Sequence, residues 1–330
     1  MRGGRAVVAH GSGREKPSPG RTAGGAAGAR TAAGKSGVSR CGTVALVGRP
    51  NVGKSTLLNH LIGQKLSITS RKPQTTRNRI RGILTRPETQ FVFVDTPGYQ
   101  TRHKSALNRA MNRSVLSTLQ EVDVVLMVSE ALHWGAEDQR VLDHIPAGVR
   151  PLLVVNKVDR VKPRELLLPF LRERATEPRF DAIVPVSARQ DRDFEGLLRE
   201  IEQRLPEGPP MYEADDLTDS NERFLAAEFI REQLFRLLGE ELPYATTVLI
   251  DQYQTEGALR RIHATIVVDN DNQKAIVIGR NGEKLKAIGT LARKSIETLV
   301  QGKVHLELWV KVKGGWAEDE RALKQMGYEL

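Results

Sequence analysis

The sequence contains only one cysteine and no long apolar run. Because Cys41 is the single cysteine among 330 residues, the chain can form neither an internal disulfide framework nor a cysteine-based zinc site. The longest apolar runs, at 122–128 and 152–155, are far shorter than the roughly 18–20 residues that a membrane-spanning helix needs. The seven histidines show no metal-ligand spacing, so a transition-metal site is not expected. Together these absences favour a protein of a reducing compartment.

The positive charge of the sequence is concentrated in two regions. The net charge is +10, and residues 1–40 contribute eight basic residues and one acidic residue to it. The segment 206–271 is acidic, with five basic and fourteen acidic residues, whereas the segment 272–313 has nine basic and three acidic residues. This distribution favours contact with an anionic partner such as a nucleic acid. The alternative interpretation is a solvated charged surface.

Residues 1–41 are predicted to form a disordered basic extension. They are rich in Gly, Ala, Ser and Arg and lack apolar periodicity. They also lack the continuous apolar core of a secretory signal. A bacterial extension or an upstream start-codon choice is the favoured interpretation, and an organelle transit peptide is the alternative.

The rest of the chain divides into two predicted domains. From 42 to 205, short apolar strands alternate with helices, which predicts an α/β domain with a mostly parallel sheet and helices on both faces. The segment 206–218 begins with Pro and Gly, continues with acidic residues, and is predicted to be a linker that lets the domains move. Residues 219–330 follow in the order α-β-β-α-α-β, which predicts a smaller α+β domain.

A phosphate-binding loop is predicted directly after the first strand. The segment 48–55 matches the pattern G-x-x-x-x-G-K-[ST] in full and precedes a helix. The glycines let backbone N–H groups face a phosphate, and the helix N-terminus adds positive potential. Lys54 is expected to neutralise the β- and γ-phosphates, and Ser55 is expected to ligate Mg²⁺. The predicted residues are Gly48, Arg49, Pro50, Asn51, Val52, Gly53, Lys54, Ser55 and Thr56.

Three further segments at strand ends predict that the ligand is a guanine nucleotide. Asp95 is placed to hold Mg²⁺ through water, and the Gly98 N–H is placed to sense a γ-phosphate. The Asp159 carboxylate can accept hydrogen bonds from N1–H and N2–H₂ of guanine, and Lys157 can lie against the base. Adenine would leave that carboxylate unpaired, which is costly. The residues are Asp95, Thr96, Pro97 and Gly98, then Asn156, Lys157 and Asp159, and finally Ser187, Ala188 and Arg189.

The sequence resembles a known group of GTPases and a known RNA-binding domain. Residues 48–59 (Gly-Arg-Pro-Asn-Val-Gly-Lys-Ser-Thr-Leu-Leu-Asn) and 70–77 (Ser-Arg-Lys-Pro-Gln-Thr-Thr-Arg) resemble the Era branch of the TrmE–Era group of translation-factor-class GTPases. Residues 275–284 (Ala-Ile-Val-Ile-Gly-Arg-Asn-Gly-Glu-Lys) resemble the Gly-x-x-Gly loop of a type II KH domain. The resemblance extends over about residues 42–325.

The resemblance implies a function and a set of partners. It implies a GTPase that converts GTP to GDP and phosphate with Mg²⁺ and binds the 3′ end of 16S rRNA. It further implies a role in the assembly and maturation of the small (30S) ribosomal subunit. The implied protein is a cytoplasmic monomer that associates peripherally with the inner membrane.

The segment 70–77 falls where the first switch of such a GTPase lies. Thr75 and Thr76 are both candidates for the hydroxyl that senses Mg²⁺ and the γ-phosphate, and the sequence leaves the choice open. The loop is basic, which predicts either a solvated charged loop or contact with RNA. The predicted switch residues are Gln74, Thr75, Thr76 and Arg77, and the predicted catalytic residues are Lys54, Thr76, Asp95 and Gly98.

The residue that positions the attacking water is not identified by the sequence. Small GTPases use a Gln directly after Asp-x-x-Gly, but Tyr99 occupies that position here. Gln100 is adjacent and is not assigned. Asn51 resembles the asparagine that some relatives use to hold K⁺ near the phosphates, so a K⁺ ion is a further hypothesis. A turn residue that tolerates the loop geometry is the alternative for Asn51.

A second ligand site is predicted in the C-terminal domain. A Gly-x-x-Gly loop between two helices allows close backbone approach to a phosphate–sugar chain, and the following helix N-terminus favours anions. Isoleucines near the loop are expected to form the floor of an RNA groove, although core packing is the alternative for at least two of them. The predicted RNA-binding residues are Ile276, Ile278, Gly279, Arg280, Asn281, Gly282, Lys284 and Lys286, with Ile288 as a further floor residue.

Two functions compete at this point. The first is an RNA-binding GTPase whose hydrolysis times its release from a pre-ribosome. The second is an rRNA-binding assembly module in which GTP is mainly a conformational effector and hydrolysis is incidental. A metabolic P-loop kinase would explain neither the Asn-Lys-x-Asp segment nor the KH-like loop.

Overall fold

The computed structural model describes residues 40–70, 72–99, 105–190, 194–239 and 242–328. The predicted N-terminal extension therefore lies outside the described residues as far as position 39, and Arg71 and Gln100 lie outside them as well. All described residues belong to one compact unit. In the described part of the chain, no helix is both long and apolar enough to cross a membrane.

Short runs of β-branched, aromatic and leucine residues form a six-stranded sheet in the N-terminal half. The strand order is β2-β3-β1-β4-β5-β6, and all neighbours are parallel except β2 and β3. The strands are β1 (Arg40–Val47), β2 (Ile80–Arg86), β3 (Thr89–Asp95), β4 (Val124–Glu130), β5 (Leu152–Asn156) and β6 (Ala182–Pro185).

Helices cover both faces of this sheet. The helices are α1 (Lys54–Ile62), α2 (Ala106–Glu121), α3 (Ala136–His144), α4 (Leu167–Arg174) and α5 (Phe194–Glu202). Leucines of α1 and α5 pack in the core on one face, whereas apolar residues of α2 and α3 pack in the core on the other. Because both faces are buried, the strands are continuous apolar runs rather than alternating ones.

The C-terminal half has its own three-stranded sheet, in the order β7-β8-β9. Its elements are α6 (Glu222–Leu237), β7 (Thr247–Glu256), β8 (Leu259–Val268), α7 (Asp271–Ile278), α8 (Glu283–Val300), β9 (Lys303–Val312) and α9 (Glu320–Gln325). Residues from α6, α7 and α8 pack with the strands in one core. The observed order contains the predicted α-β-β-α-α-β sequence, followed by α9, which the sequence analysis does not predict.

Side-chain caps set where several helices begin. The Asn221 side chain accepts a hydrogen bond from the backbone of Phe224 at 2.8 Å, and this cap starts α6. The Asn270 side chain accepts one from Gln273 at 3.0 Å and starts α7. The start of α7 places its last turn directly before Gly279, so local capping positions the predicted RNA-binding loop.

The first domain begins two residues before the predicted boundary at 42. Arg40 and Cys41 are part of β1, and Cys41 is buried. The backbone N–H of Cys41 donates to the carbonyl of Pro206 at 3.1 Å, and the Arg40 guanidinium donates to the carbonyl of Leu205 at 2.7 Å. Arg40 and Cys41 therefore belong to the folded domain. The amino-acid types alone do not predict that β1 begins before residue 42.

The segment predicted as a movable linker, 206–218, is hydrogen-bonded to the first domain. The Gln90 side chain accepts from the backbone N–H of Tyr212 at 3.0 Å and donates to its carbonyl at 2.9 Å. Ile83 of β2 donates its backbone N–H to the carbonyl of Leu217 at 2.9 Å. Long-range hydrogen bonds thus hold a segment that its composition predicts to be free.

Strand β2 is the other element that the sequence analysis misses. It begins shortly after the basic switch segment and contains two arginines, Arg81 and Arg86. In the structure, Ile80 and Ile83 are buried, and the strand pairs antiparallel with β3. Gly82 lies where β2 meets α1, and a Cβ atom on it would lie 2.8 Å from side-chain atoms of Leu58 and Ile62.

The substitution Gly82→Val is expected to destabilise the protein by about 1–3 kcal/mol because it overpacks this contact. Urea denaturation of both proteins would measure the difference in the free energy of unfolding. Gly148→Val is the matched control, since a Cβ at Gly148 meets no atom within 4 Å. Equal destabilisation by the two variants would contradict the prediction.

Candidate functional site

The predicted nucleotide-binding loops meet at one edge of the first sheet and form a cleft of about 490 Å³. They follow the carboxyl ends of the parallel strands, where open α/β sheets bind ligands. The predicted residues that line the cleft are Pro50, Asn51, Gly53, Lys54, Ser55, Thr56, Gln74, Thr75, Thr76, Gly98, Lys157 and Arg189. The cleft is also lined by four residues that are not among the predicted site residues, Ile68, Thr69, Ser70 and Arg160.

The backbone of the phosphate-binding loop requires its two glycines. Gly48 and Gly53 have φ values of 155° and 104°, which L-residues rarely adopt. A Cβ atom would also lie 2.4 Å from the Val128 carbonyl oxygen at Gly48 and 2.3 Å from the Asn156 side chain at Gly53. The loop can therefore curl tightly against strands β4 and β5 only with glycine at both positions.

Lys54 is buried at the start of α1. Its ammonium donates to the carbonyl oxygens of Gly48 and Arg49 at 3.0 and 3.2 Å, so it lies folded over the loop. Burial lowers the pKa of Lys54 to about 8, although the nearby Asp95 carboxylate opposes this shift. The ammonium is thus held where phosphate charge would stabilise it.

A buried carboxylate and three hydroxyl groups form the centre of the site. The Asp95 Oδ2 atom accepts from the hydroxyls of Ser55 at 2.7 Å, Ser67 at 2.8 Å and Thr76 at 3.2 Å. Asp95 Oδ1 is buried without a hydrogen-bond partner. Burial raises the pKa of Asp95, and the charge of Lys54 and these hydroxyls oppose the shift. Oxygen donors and an unsatisfied carboxylate oxygen fit the preference of Mg²⁺.

The two switch threonines have different environments. The Thr76 hydroxyl lies 2.8 Å from the Ser55 hydroxyl, within the cluster around Asp95. The Thr75 hydroxyl instead donates to the carbonyl of Lys72 at 2.9 Å. Gln74, with φ at 57°, forms part of the cleft wall. Of the two candidates, Thr76 alone contacts Asp95 here, a distinction that the sequence leaves open.

Asn156 holds three of the predicted loops together. Its side-chain amide donates to the carbonyl of Val52 in the phosphate-binding loop at 2.8 Å. Its side-chain oxygen accepts from the backbone of Lys157 at 2.7 Å and of Ala188 at 3.0 Å. A single buried amide therefore fixes the phosphate-binding and base-binding parts of the cleft relative to each other.

The base-recognition residues lie beside this amide. The Ser187 hydroxyl donates to the Asp159 carboxylate at 2.7 Å, which orients the group predicted to bind guanine. Lys157 has a left-handed backbone with φ at 66° and lines the cleft with the exposed Arg189.

Four predicted nucleotide-binding residues support the loops from outside the cleft. Val52, Thr96 and Pro97 are buried, and the Thr96 hydroxyl donates to the carbonyl of Leu46 at 2.8 Å. The Arg49 side chain binds the Asp138 carboxylate at 3.1 and 3.2 Å rather than extending into the cleft.

Tyr99, which replaces the usual water-positioning Gln, packs away from the cleft. Its ring lies 4.5 Å from the ring of His144 at the end of α3, and it packs against the core on that face. Gln100 lies outside the described residues. No water-positioning residue is therefore assigned.

The switch segment is packed against the C-terminal domain through a buried arginine. Arg77 is buried, and burial lowers the pKa of its guanidinium. It donates to the carbonyls of Thr246, Pro243 and Tyr244 at 2.8, 3.0 and 3.1 Å and to the Tyr328 hydroxyl at 3.2 Å. Neither of the two interpretations of this basic loop, solvation or RNA contact, describes Arg77 itself.

Helix α6 provides further contacts with the switch segment. The buried Arg231 donates to the Thr75 carbonyl at 2.5 Å, and Glu232 accepts from the Thr69 backbone at 3.1 Å. The Lys72 ammonium donates to the carbonyl of Leu238 at 2.5 Å. The residues that reach the nucleotide site are therefore tied to the domain that carries the Gly-x-x-Gly loop.

The predicted RNA-binding loop has positive φ values at three of its residues. Gly279, Asn281 and Gly282 have φ values of 73°, 50° and 77°. Arg280 and Lys286 are exposed and Lys284 is half-buried beside the loop.

A groove of about 550 Å³ runs from this loop between α8 and β9. Besides the predicted Gly282 and Lys286, its walls contain Leu285, Gly289, Thr290, Arg293, Leu306 and Leu308. A Cβ atom on Gly289 would lie in van der Waals contact with Leu308, at 3.4 Å, and would narrow the groove there.

The predicted isoleucines do not line this groove. Ile288 is fully buried in the domain core, whereas Ile276 is largely exposed and Ile278 is half-buried. Leu285 and Gly289, four positions apart on α8, border the groove, whereas Ile288 is buried in the core between α8 and the sheet. Leucines of α8 and β9 therefore line the groove where isoleucines were expected.

Comparison with known proteins agrees with this two-part architecture. The family model described as a 50S ribosome-binding GTPase matches residues 43–157. The KH domain family model matches residues 241–317. Together these matches define a GTPase domain followed by a KH domain.

The relatives of the whole chain identify its family. GTPase Era of Nitrosomonas eutropha is 57% identical over 290 residues, which are 88% of this chain and 98% of that protein. GTPase Era of Chromobacterium violaceum is 54% identical over 88% of this chain and 98% of that protein. The chain belongs to the GTPase Era family, which confirms the predicted resemblance and fold class.

Two solved structures share the fold at a TM-score of 0.85 and 38% identity, and each match covers 88% of this chain and 100% of the other. One is Era in complex with MgGDPNP and nucleotides 1506–1542 of 16S ribosomal RNA. The other is a variant of Aquifex aeolicus Era bound to GDP and AlF4⁻.

The affinity for GDP is expected to fall as the pH rises above about 8. The pKa of Lys54 is about 8 in this structure, and bound phosphate raises it because the phosphate stabilises the ammonium. Binding above that pH therefore takes up a proton, and affinity should fall by up to about tenfold per pH unit until the pKa of the complex is reached. Calorimetric titrations from about pH 7 to about pH 9.5 would measure this trend.

Guanosine is the control ligand because it shares the base but lacks phosphates. The affinity for guanosine should change with pH only where the guanine base itself gains or loses a proton. If GDP and guanosine lost affinity in parallel over this range, the prediction for Lys54 would fail.

Proposed function

We propose that this chain is a Mg²⁺-dependent GTPase switch that binds the 3′ end of 16S rRNA and assists the assembly and maturation of the 30S subunit. The proposal rests on the contacts of the switch segment. Thr76 contacts Asp95, and the next residue, Arg77, is buried against the KH domain. One short segment thereby touches both the nucleotide site and the RNA-binding domain. The relative bound to MgGDPNP and rRNA nucleotides supports both halves of the proposal.

The nucleotide-binding residues have separate roles in the proposal. Backbone N–H groups of the glycine-rich loop and the Lys54 ammonium bind the phosphates, and Asp159 selects guanine. Mg²⁺ held by Ser55 and Thr76 beside Asp95 supplies positive charge that offsets the charge of the phosphates. The Gly98 N–H senses the γ-phosphate.

Loss of the γ-phosphate is proposed to release the Thr76 hydroxyl from the site. The contacts of Thr75 with Arg231 and of Arg77 with the carbonyls near α6 would then rearrange with the segment. Order–disorder change of such a segment is a common GTPase transition. Nucleotide state would thus bias the position of the KH domain.

The RNA site is proposed to combine the Gly-x-x-Gly loop with the groove between α8 and β9. The glycines admit the sugar–phosphate chain, while Arg280, Lys284, Lys286 and Arg293 supply positive charge. Bases would contact the apolar walls at Leu285, Leu306 and Leu308.

Hydrolysis is proposed to be a real part of the function rather than incidental. The Ser55 and Thr76 hydroxyls, which are proposed to hold Mg²⁺, both contact Asp95. The relative bound to GDP and AlF4⁻ also supports an enzyme over a binding module. A K⁺ ion beside Asn51 is retained as a proposed source of additional positive charge. The exposed position of Asn51 in the cleft supports it.

The cellular setting is also a proposal. We place the protein in the cytoplasm as a monomer, with peripheral association with the inner membrane. This part rests on membership of the family.

Asp159→Asn is expected to lower the preference for GTP over xanthosine triphosphate by at least about 100-fold, because the amide no longer matches the two guanine donors. Competition of each triphosphate against a fluorescent GDP analogue would measure the ratio. Asp143→Asn, which changes an exposed acid on α3, is the control and should keep the wild-type ratio. An unchanged ratio in Asp159→Asn would refute the assignment of guanine recognition.

Gly282→Asp is expected to weaken binding of a 16S rRNA 3′ oligonucleotide by at least about tenfold, since it adds a negative charge where the phosphate chain approaches. Fluorescence anisotropy at fixed salt would measure the dissociation constant. A Cβ at Gly282 meets no atom within 4 Å, so the variant should fold.

Gly257→Asp is the matched control because Gly257, in the β7–β8 turn, also has positive φ and open space around it. It adds the same charge at another glycine of positive φ but does not line the groove. Similar RNA affinity in the two variants would remove the site assignment, whereas GDP binding should be normal in both.

A further inference from the structure

Glu130 lies at the carboxyl end of β4, beside the nucleotide cleft but outside every predicted motif. Its carboxylate binds the Lys157 ammonium at 2.6 Å. The guanidinium groups of Arg49 and Arg160 lie 3.8 Å from the same carboxylate. Glu130 is therefore the shared anion of three cations that belong to the phosphate-binding and base-binding loops.

The Glu130–Lys157 pair is mostly removed from water. The side chain of Glu130 is 20% exposed and that of Lys157 is 18% exposed. Ion pairs in such partly buried positions are screened less by solvent and salt than exposed pairs. The contact can thus hold the long Lys157 side chain in one conformation before a nucleotide binds, so that binding itself costs less rotamer entropy.

The backbone around Lys157 is already fixed. Its N–H donates to Asn156, and its φ of 66° is left-handed. With the backbone held at one end and the ammonium held by Glu130 at the other, the aliphatic chain of Lys157 has few conformations left. That chain lies on the wall of the cleft.

The same carboxylate links this wall to the phosphate-binding loop. Arg49 binds Asp138 at 3.1 Å, and Asp138 accepts from the backbone of Gly135 at the start of α3 at 3.1 Å. Asp138 is almost fully buried, so it is a fixed anchor. A charged chain thereby runs from α3 through Arg49 and Glu130 to Lys157.

We propose that Glu130 is a positioning residue for guanine nucleotides: by holding the Lys157 ammonium, it makes the lysine chain a fixed wall for the base and slows nucleotide release. The inference rests on the guanine site proposed above. Glu130 acts through Lys157 and does not itself touch the nucleotide. Its effect should therefore be independent of the substituents that Asp159 recognises.

The test is a double-mutant cycle with Glu130→Gln and Lys157→Met, which remove each charge but keep the side-chain length. The dissociation rate of a fluorescent GDP analogue is measured for the wild type, both single variants and the double variant. We expect Glu130→Gln to speed release about tenfold, and the double variant to release no faster than Lys157→Met. Additive effects of the two changes would overturn the proposal.

Two controls separate positioning from general destabilisation. Glu200→Gln removes a different ion pair, between Glu200 on α5 and Arg204, which are 2.8 Å apart. This variant should release the GDP analogue at the wild-type rate. If Glu130→Gln does not fold, Glu130→Asp, which keeps the charge but shortens the reach, should give an intermediate rate, and a wild-type rate would contradict the proposal.

Inosine diphosphate distinguishes this inference from the proposed function itself. It presents the same ring face but lacks the 2-amino group, so Glu130→Gln should speed the release of both diphosphates by the same factor. If the wild type shows no preference for guanine nucleotides, the proposed site fails. If the wild type prefers them but Glu130→Gln releases GDP at the wild-type rate, only the role of Glu130 fails.

Discussion

The nucleotide site is organised around one buried carboxylate, Asp95, whose charge must be stabilised by its neighbours. Asp95 is fully buried, and a buried charge is stable only when hydrogen bonds and opposite charges replace water. Ser55, Ser67 and Thr76 supply those hydrogen bonds from three different parts of the chain. The end of β3, the first turn of α1 and the switch segment are therefore held together by a requirement that an apolar residue at 95 would not impose.

A second buried charge continues this arrangement toward the C-terminal domain. Arg77 directly follows Thr76, and its guanidinium is surrounded by backbone carbonyls near the end of α6. Because removing one partner of a buried charge is costly, neither end of the segment can leave its partners without a substantial change in free energy. The two domains thus share a segment whose conformation is determined by both.

The sequence was sufficient for features that depend on local geometry. Gly48 and Gly53 mark the phosphate-binding loop because only glycine suits their backbone, and the Gly-x-x-Gly loop is recognisable for the same reason. Features that depend on tertiary contact were not accessible. The burial of Arg77, the contact of Ser67 with Asp95 and the leucine walls of the groove involve partners far along the chain. A periodic isoleucine such as Ile288 indicates an apolar face but not which neighbour it meets.

The hydrogen-bonded connection between the domains has a consequence for how long they stay together. Leu217 and Thr218 are bonded to β2, and α6 begins soon afterwards at Glu222. The tether that can swing freely is therefore very short. A short tether keeps the local concentration of a linked domain high, so the KH domain would re-engage the switch segment rapidly after any opening. In this way the short connection adds to the contacts of the interface itself, both the buried polar contacts of Arg77 and the apolar cluster that Met111 forms with Trp316 and Leu323.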